Sequence, residues 1–100
     1  MNEVTKATSI GPAVRKIVVE RDKHRCIFCG DFNIQIAHYV PRSQLGMGIP
    51  ENLACVCPDC HRLLDQSTKR KMLLIIFEKY LKFKYPKWEK KKLIYKKYNI

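Results

Sequence analysis

Two C-x-x-C pairs are the feature that most constrains what this chain can fold into. They are Cys26-x-x-Cys29 and Cys57-x-x-Cys60, and 27 residues separate them. Each pair places two thiolates on one tight turn, and two such turns complete the tetrahedron of ligands that zinc prefers. The spacing therefore predicts a structural zinc ion held by these four cysteines, which would stabilise the modest core of so small a chain.

Two neighbouring residues offer alternatives to this ligand set. His61 directly follows Cys60 and could replace it as the fourth zinc ligand. Cys55 is a fifth thiol, and packing as a small hydrophobic side chain is favoured for it over an unusual C-x-C site.

The first ten residues lack a signal-peptide pattern, so we expect a cytoplasmic protein with reduced thiols and no disulfide framework. A redox role is disfavoured because the zinc-spaced pairs leave no free C-x-x-C couple.

The length and apolar content of the chain indicate one folded domain. The chain has 100 residues, of which 46% are hydrophobic. Its longest uninterrupted apolar run, Met72 to Phe77, has six residues, whereas a membrane span needs roughly 18. We therefore expect no membrane partner.

The order of elements is predicted from periodicity. Apolar residues at helical spacing after Pro12 predict a helix from about 12 to 22. The residues expected on its buried face are Val14, Ile17 and Val18. Residues 32–40 alternate as a strand would and place His38 on the same face as two isoleucines. A loop rich in proline and glycine follows, and residues 53–56 predict a second, antiparallel strand.

The last third of the chain is strongly basic. Residues 69–100 contain twelve basic and two acidic residues, a net charge of +10, whereas residues 1–68 carry only +1. The apolar pattern from Lys69 to Phe83 predicts a helix with a broad buried face. Tyr85-Pro86 should end this helix, and a second short helix is expected from Pro86 onward. Its expected anchors to the core are Trp88, Leu93, Ile94, Tyr95 and Tyr98.

Three polar residues stand out once the zinc ligands are set aside. His38 lies on the first strand, Asn52 at the junction of loop and second strand, and His61 on a helix predicted to begin near Pro58. Around them the chain reads IAHYVPRS, GIPENLACVC and CPDCHRLLD. This arrangement resembles the HNH endonucleases of the ββα-metal class, in the variant with two zinc knuckles.

The resemblance implies a small α+β fold. Residues 1–68 would form the ββα-metal core with its four-cysteine zinc site and an N-terminal helix. Residues 69–100 would form a basic helical extension packed on the same domain. The end of the chain also resembles the tails of small HNH proteins from phages and Gram-positive bacteria, which implies a homodimer or a phage packaging partner.

The resemblance also implies hydrolysis of DNA phosphodiester bonds, by nicking or by double-strand cutting. His38 corresponds to the general base, and Asn52 to the residue that ties the loop backbone and orients that histidine. His61 corresponds to a ligand of the catalytic divalent ion, which would be Mg²⁺, Mn²⁺ or Ni²⁺.

Ala37 departs from the family pattern. The residue before the general base is commonly an aspartate or histidine that binds the metal, so this chain lacks one ligand. Asp65 could replace it, because His61 and Asp65 are four residues apart on one helix face. A solvated helix charge is the alternative role for Asp65. A zinc-stabilised DNA-binding module with weak or no catalysis is the alternative function.

The uneven charge predicts a polyanionic partner, most simply double-stranded DNA. The candidate phosphate contacts are Arg42, Arg62, Lys69, Arg70 and Lys71. Surface ion pairs are the alternative role for the two arginines that flank the histidines.

Overall fold

An antiparallel pair of short strands lies at the centre of the fold. The computed structural model describes residues 2–96 of the chain. Strand β1 (Gln35–His38) pairs with β2 (Leu53–Val56), and Ile36 lies opposite Cys55 in their register. The predicted second strand and its direction are confirmed. The first strand is shorter than the predicted 32–40 because Asp31 forms a turn, in which its Oδ1 accepts a hydrogen bond of 2.9 Å from the Asn33 N–H.

Within residues 2–96, four helices surround the hairpin and give the small α+β fold that was predicted. The helices are α1 (Glu3–Thr8), α2 (Pro12–Arg21), α3 (Pro58–Gln66) and α4 (Arg70–Lys84). Short 3₁₀ turns occur at Arg42–Gln44, Pro50–Asn52 and Lys90–Leu93. Helix α1 was not predicted, because six residues are too few to show a helical period; Asn2 caps it by accepting a hydrogen bond from the Thr5 N–H.

Helix α2 matches the helix predicted from about 12 to 22, but its buried face differs. Val18 is completely buried and Val14 is half-buried, whereas Ile17 is 51% exposed. The half-buried Val19 takes part in the packing instead. The expected burial of Ile17 is therefore wrong, since α2 turns its 14–18–19 stripe toward β2.

The two faces of the hairpin support two separate clusters of apolar side chains. On the face toward α2, Val18 of that helix packs with Leu53, Cys55, Ile34 and Ile36. The opposite face packs against α3 and α4, with Ala37, Ala54, Val56, Leu64, Leu73, Phe77 and Leu81 at its centre. This second cluster joins the start of the basic tail to the residues around the cysteines.

The buried face of α4 is narrower than predicted. A single stripe with a spacing of four residues is buried, consisting of Leu73, Phe77 and Leu81. Beside this stripe, Leu74 and Tyr80 are half-buried against the core. Four other apolar residues remain between 42% and 80% exposed, namely Met72, Ile75, Ile76 and Phe83. The prediction of a broad buried face is wrong because α4 lies against the domain on one side only.

The predicted second helix of the tail is also wrong. After α4 ends at Lys84, the described part of the chain, up to residue 96, forms only the 3₁₀ turn Lys90–Leu93 and then runs beside the loop between the strands. There the Met47 N–H donates to the Leu93 carbonyl at 2.8 Å, and the Tyr95 N–H donates to the Leu45 carbonyl at 2.8 Å. These backbone hydrogen bonds to the loop replace those of a helix.

The predicted anchoring of the tail is confirmed for several residues. Trp88 packs on the core and donates from Nε1 to the Glu51 carbonyl at 2.8 Å. Leu93 is buried, and the Tyr95 hydroxyl donates to Glu3 at 3.1 Å. Tyr98, which was also expected to act as an anchor, lies outside the described residues. Within residues 2–96, no helix has both the length and the apolar character that a membrane crossing demands.

A buried ion pair that the sequence did not reveal joins α2, β2 and α4. The Asp22 carboxylate accepts hydrogen bonds from the Arg21 guanidinium at 2.7 and 3.0 Å, from the Cys55 N–H at 2.8 Å, and from the Tyr80 hydroxyl. Arg21 also donates to the Leu53 carbonyl at 2.6 Å. Burial alone would lower the pKa of Arg21, but Asp22 and Tyr85 outweigh that effect and raise it. The pair is therefore charged and fully hydrogen-bonded.

Candidate metal centre and active site

The two C-x-x-C pairs meet in one cluster. The Sγ atoms of Cys26, Cys29, Cys57 and Cys60 all lie within 4.8 Å of one another, and those of Cys29 and Cys57 are 3.5 Å apart. In a tetrahedral zinc site with Zn–S bonds of ~2.3 Å, the sulfur atoms are ~3.8 Å apart. The cluster therefore has the size and the donor set of a four-thiolate zinc site.

Backbone geometry holds the first pair in this position. Gly30 has a φ of +81°, which favours glycine, and its N–H donates to the Cys26 carbonyl at 2.9 Å. The Ile27 N–H donates to the Cys55 carbonyl at 2.9 Å and so fixes this turn to β2. The second pair is held differently, since Cys57 is the N-cap of α3 and its Sγ accepts from the Cys60 N–H.

The pKa values of two thiols in the cluster, Cys26 and Cys60, are shifted in opposite directions. Burial opposes ionisation of Cys26, but nearby backbone N–H groups outweigh it and lower its pKa to about 7. Burial and the neighbouring sulfur atoms raise the pKa of Cys60. Four thiolates this close together would repel one another, and a coordinated metal ion both offsets this repulsion and deprotonates its thiol ligands. The four-cysteine cluster thus suggests a structural zinc ion.

The positions of His61 and Cys55 decide between the alternative zinc ligand sets. Cys60 belongs to the cluster and the ring of His61 points to Gln35, so the replacement of Cys60 by His61 as the fourth ligand is wrong. Cys55 is completely buried among Val18 and Leu53, and its Sγ lies 3.9 Å from the Val18 carbonyl. The prediction that Cys55 packs as a small hydrophobic side chain is therefore confirmed.

His38 ends β1 and is half-buried against the N-terminal segment. Its Nε2 lies 3.0 Å from the carbonyl oxygen of Thr8. A carbonyl can only accept, so this contact requires a hydrogen on Nε2 and leaves the Nδ1 lone pair free in the neutral ring. Burial lowers the pKa of His38, the Thr8 carbonyl opposes this, and the charges of Arg42 and His61 lower it further.

Asn52 is completely buried at the start of β2 and fastens the loop between the strands. Its Oδ1 accepts from the Val40 N–H at 2.8 Å, and its Nδ2 donates to the carbonyls of Val40 at 3.1 Å and Met47 at 2.9 Å. The Asn52 carbonyl also accepts from the Tyr39 N–H at 2.8 Å. The loop contacts expected of this asparagine are present, whereas the atom found beside the ring of His38 is the Thr8 carbonyl.

Two glycines let the loop pack tightly enough for these contacts. A Cβ at Gly46 would lie 1.7 Å from the Val40 carbonyl oxygen, and one at Gly48 would lie 2.0 Å from the Ser9 carbonyl oxygen. The Gly48 N–H also donates to the Ala7 carbonyl at 3.0 Å. The loop is therefore pressed against the end of α1, which supplies the Thr8 carbonyl to His38.

His61 and Asp65 lie on one face of α3, as predicted. His61 Nε2 is 3.9 Å from Asp65 Oδ2, while His61 Nδ1 is 2.8 Å from Gln35 Oε1. Adjacent donor atoms at ~2.1 Å from an octahedral ion are ~3.0 Å apart, so these two side chains would have to approach each other by about 0.9 Å to hold one divalent ion together. Among residues 2–96, however, the four cysteines form the one cluster of three or more ligand groups already close enough to share an ion.

Ala37 is 1% exposed and lies in the apolar cluster beneath α3. The position at which the resemblance to HNH enzymes predicts a metal ligand thus holds a buried methyl group. A neighbouring polar residue, Gln35, lies on the same face of β1 two residues earlier and reaches His61. Sequence reasoning missed both Gln35 and Thr8, since a strand glutamine and a backbone carbonyl carry no motif.

The candidate DNA contacts are all exposed, but their surroundings differ. Arg42 lies 3.4 Å from the hydroxyls of both Thr8 and Ser9, on the His38 side of the molecule. Arg62 forms an exposed ion pair with Asp59 at 3.2 Å. No described acidic residue pairs with the three cations at the start of α4, which are Lys69, Arg70 and Lys71.

A family comparison bears on this arrangement. Residues 26–66, from the first zinc-cluster cysteine to the end of α3, match the family model described as HNH endonuclease. The chain contains an HNH endonuclease family domain. This HNH domain includes the four cysteines, both strands and the residues His38, Asn52, His61 and Asp65. No curated protein matches the chain.

Among solved structures, this chain is similar to part of ScoMcrA, described as a Type IV phosphorothioation-dependent restriction endonuclease. The match covers 74% of this chain with a TM-score of 0.64 and 22% sequence identity. It shows a shared fold. The match spans 19% of the length of ScoMcrA. Neither comparison supports a phage origin.

Proposed function

We propose that this chain is a metal-dependent endonuclease that hydrolyses phosphodiester bonds of double-stranded DNA, with His38 as the general base. The observation that carries the proposal is the environment of His38: a half-buried imidazole with Nε2 held by the Thr8 carbonyl, next to a loop fastened by Asn52. Membership of the domain in the HNH family supports the same reaction class.

The proton transfer follows from the state of the His38 ring. Because Nε2 carries a hydrogen that is donated to Thr8, the neutral ring presents Nδ1 as its basic atom. The lowered pKa keeps the ring neutral at physiological pH, so Nδ1 can take the proton of the attacking water. Asn52 holds the backbone directly after β1 and thereby keeps the ring at a fixed place.

The residues that would hold the catalytic ion are His61, through Nε2, and Asp65, through a carboxylate oxygen. A Mg²⁺, Mn²⁺ or Ni²⁺ ion bound there would act as a Lewis acid on the phosphoryl and leaving oxygens. Two protein ligands leave most coordination positions to water and to the phosphate itself, which is usual for magnesium sites on phosphate substrates.

The basic part of the chain would bind the DNA backbone. Lys69, Arg70 and Lys71 lie three to five residues after the end of the helix that carries His61 and Asp65, and they are exposed. Arg42 lies on the His38 side and is free to rotate toward a phosphate, because its present partners are neutral hydroxyls. Arg62 would have to leave its partner Asp59 to do the same, at a small cost for so exposed a pair.

The proposal also includes a cellular compartment and an oligomeric state. Four zinc-binding thiolates need a reducing compartment such as the cytoplasm. A single site of this kind cuts one strand, so we propose nicking as the activity of one chain and a homodimer for double-strand cutting.

A second candidate function is favoured by one specific observation, the buried Ala37. With the usual ligand position occupied by a methyl group, the chain could bind DNA through its zinc-stabilised fold without cutting it. In that case the basic residues would keep their role, and His38 would serve only to join β1 to α1.

The two functions are separated by incubating supercoiled plasmid with the zinc-loaded protein and added Mg²⁺, Mn²⁺ or Ni²⁺, with a sample lacking added metal as control. The endonuclease proposal predicts conversion to open circles that depends on the added ion. Retarded migration of the plasmid without nicking, under each of the three ions, would favour the DNA-binding module and overturn the enzyme proposal.

A further inference from the structure

The ring of His61 contacts polar groups through both nitrogen atoms, but only one contact is a hydrogen bond. Nδ1 lies 2.8 Å from Oε1 of Gln35, whereas Nε2 lies 3.9 Å from Oδ2 of Asp65. The second distance is too long for a hydrogen bond, so Asp65 does not determine where the proton sits. The tautomer of His61 therefore depends on Gln35.

An amide oxygen accepts hydrogen bonds and cannot donate them. Its contact with Nδ1 requires the imidazole hydrogen to be on Nδ1, which leaves the lone pair of the neutral ring on Nε2. That lone pair is on the side of the ring facing the Asp65 carboxylate. The two groups together offer one nitrogen and one oxygen donor, which is a suitable pair for a divalent ion.

The position of Gln35 in the fold explains how it can reach His61. Gln35 begins β1 and pairs with Val56, the residue directly before the N-cap Cys57 of α3. It also lies on the same strand face as Ala37, two residues earlier. Ala37 contributes no polar atom to this face, so Gln35 is the residue of β1 that contacts the helix bearing His61 through a hydrogen bond.

We propose that Gln35 is a positioning residue: its amide oxygen holds His61 in the tautomer with the hydrogen on Nδ1 and so directs Nε2 toward an ion shared with Asp65. Hydrogen bonds of this kind orient metal-binding histidines and raise their basicity. The statement about the ion rests on the proposed function, whereas the statement about the tautomer does not.

The tautomer can be measured directly by long-range ¹H–¹⁵N NMR correlation of the histidine rings, in zinc-loaded protein without any other divalent ion. The chain has three histidines, so the variants His24→Asn and His38→Ala assign the signals. In the wild type we expect the hydrogen of His61 on Nδ1. In Gln35→Met, which keeps the length of the side chain but removes the acceptor, we expect the tautomer mixture of a free imidazole.

Two further variants act as controls. Gln35→Glu keeps an acceptor oxygen and should retain the Nδ1–H tautomer, whereas Gln44→Met changes an exposed glutamine elsewhere and should alter nothing. A wild-type His61 with its hydrogen on Nε2, or a Gln35→Met spectrum identical to that of the wild type, would overturn the role of Gln35.

The part of the proposal that concerns the ion is tested by titrating the protein with Mn²⁺ and measuring the binding affinity by calorimetry. Loss of such a supporting hydrogen bond weakens metal affinity by about 10- to 100-fold, and we expect this for Gln35→Met but not for Gln35→Glu or Gln44→Met. Unchanged affinity in Gln35→Met would refute the link to the ion. A wild type that binds no Mn²⁺ would contradict the proposed function as well, while the NMR result would still decide the tautomer.

Discussion

Two half-buried or buried titratable residues, His38 and Asp22, owe their properties to neighbours that are distant in sequence. The carbonyl bonded to His38 belongs to Thr8, 30 residues earlier, and Asp22 receives a hydrogen bond from Cys55, 33 residues later. The residue types at the site could be predicted from the chain alone. Their partners could not, because a backbone carbonyl and a backbone N–H leave no pattern in a sequence.

The lowered pKa of His38 predicts the pH dependence of nicking. A general base must be neutral, so the single-turnover rate should rise with pH and reach its plateau once His38 has lost its proton. Burial and the charge of Arg42 lower the pKa of His38, so the midpoint should lie below 6.5, the ordinary value for histidine. Arg42→Gln should move the midpoint upward.

This profile is measured between about pH 5 and pH 8, a range centred near the histidine value, with zinc content followed at each pH. A midpoint above 6.5 in the wild type would contradict the assignment of His38 as the base, provided that zinc remains bound.

Asp22→Asn should strongly destabilise the fold. Both oxygens of Asp22 accept hydrogen bonds, from Arg21, Tyr80 and Cys55. An amide would set an N–H group against one of these donors and leave Arg21 without its counter-charge. Breaking a buried pair costs about 3–5 kcal/mol, which urea unfolding can measure.

Asp59→Asn is the matched control for this substitution. Asp59 forms an ion pair with Arg62, and the side chains of these two residues are 85% and 69% exposed, respectively. Its loss should cost less than about 1 kcal/mol. Equal effects of the two substitutions would show that the Arg21–Asp22 pair is not a structural centre of the domain.

Among the elements, those with a strong local pattern were predicted and those that depend on the rest of the chain were not. Helices α2 and α3 and strand β2 follow from their periodicity and from Pro12 and Pro58 at their starts. The lysine-rich segment after Pro86 resembles a helix in composition. It instead pairs its backbone with the loop at Leu45 and Met47, an interaction that requires the completed fold.

Two phenylalanines of helix α4 test whether its buried face is narrow. Phe77 is completely buried and packs edge-on against Phe28 and Tyr39, whereas Phe83 on the same helix is 80% exposed. Phe77→Ala should cost about 3–5 kcal/mol of unfolding free energy.

The matched variant Phe83→Ala should change the unfolding free energy by less than about 0.5 kcal/mol, as expected of an exposed surface position. A cost for Phe83→Ala as large as that for Phe77→Ala would mean that α4 packs through the broader face predicted from the sequence. Urea unfolding of both variants under zinc-saturated conditions gives the comparison.

For the molecule as a whole, we expect the four-cysteine cluster, with its zinc ion, and the apolar clusters to maintain the fold jointly. The cluster was predictable because four cysteines at this spacing have few other uses in a reduced protein. We expect a single zinc ion per chain, with loss of the zinc and a large fall in Tm for Cys57→Ser, since binding of a structural metal contributes directly to folding free energy.

Cys55→Ala is the control, because Cys55 is buried outside the cluster and should be replaceable without loss of zinc. Zinc content and thermal unfolding can be measured on the same samples. Retention of full zinc by Cys57→Ser, or loss of zinc from Cys55→Ala, would be inconsistent with this assignment of the ligands.

The central claim, that His38 is the general base of a DNA endonuclease, is tested most directly by single-turnover nicking of supercoiled plasmid. His38→Ala is compared with His24→Asn, since His24 is exposed and asparagine tolerates its φ of +57°. We predict a loss of about 10²- to 10⁴-fold for His38→Ala with zinc content unchanged, and wild-type rates for His24→Asn. Nicking by His38→Ala at the wild-type rate would contradict the claim.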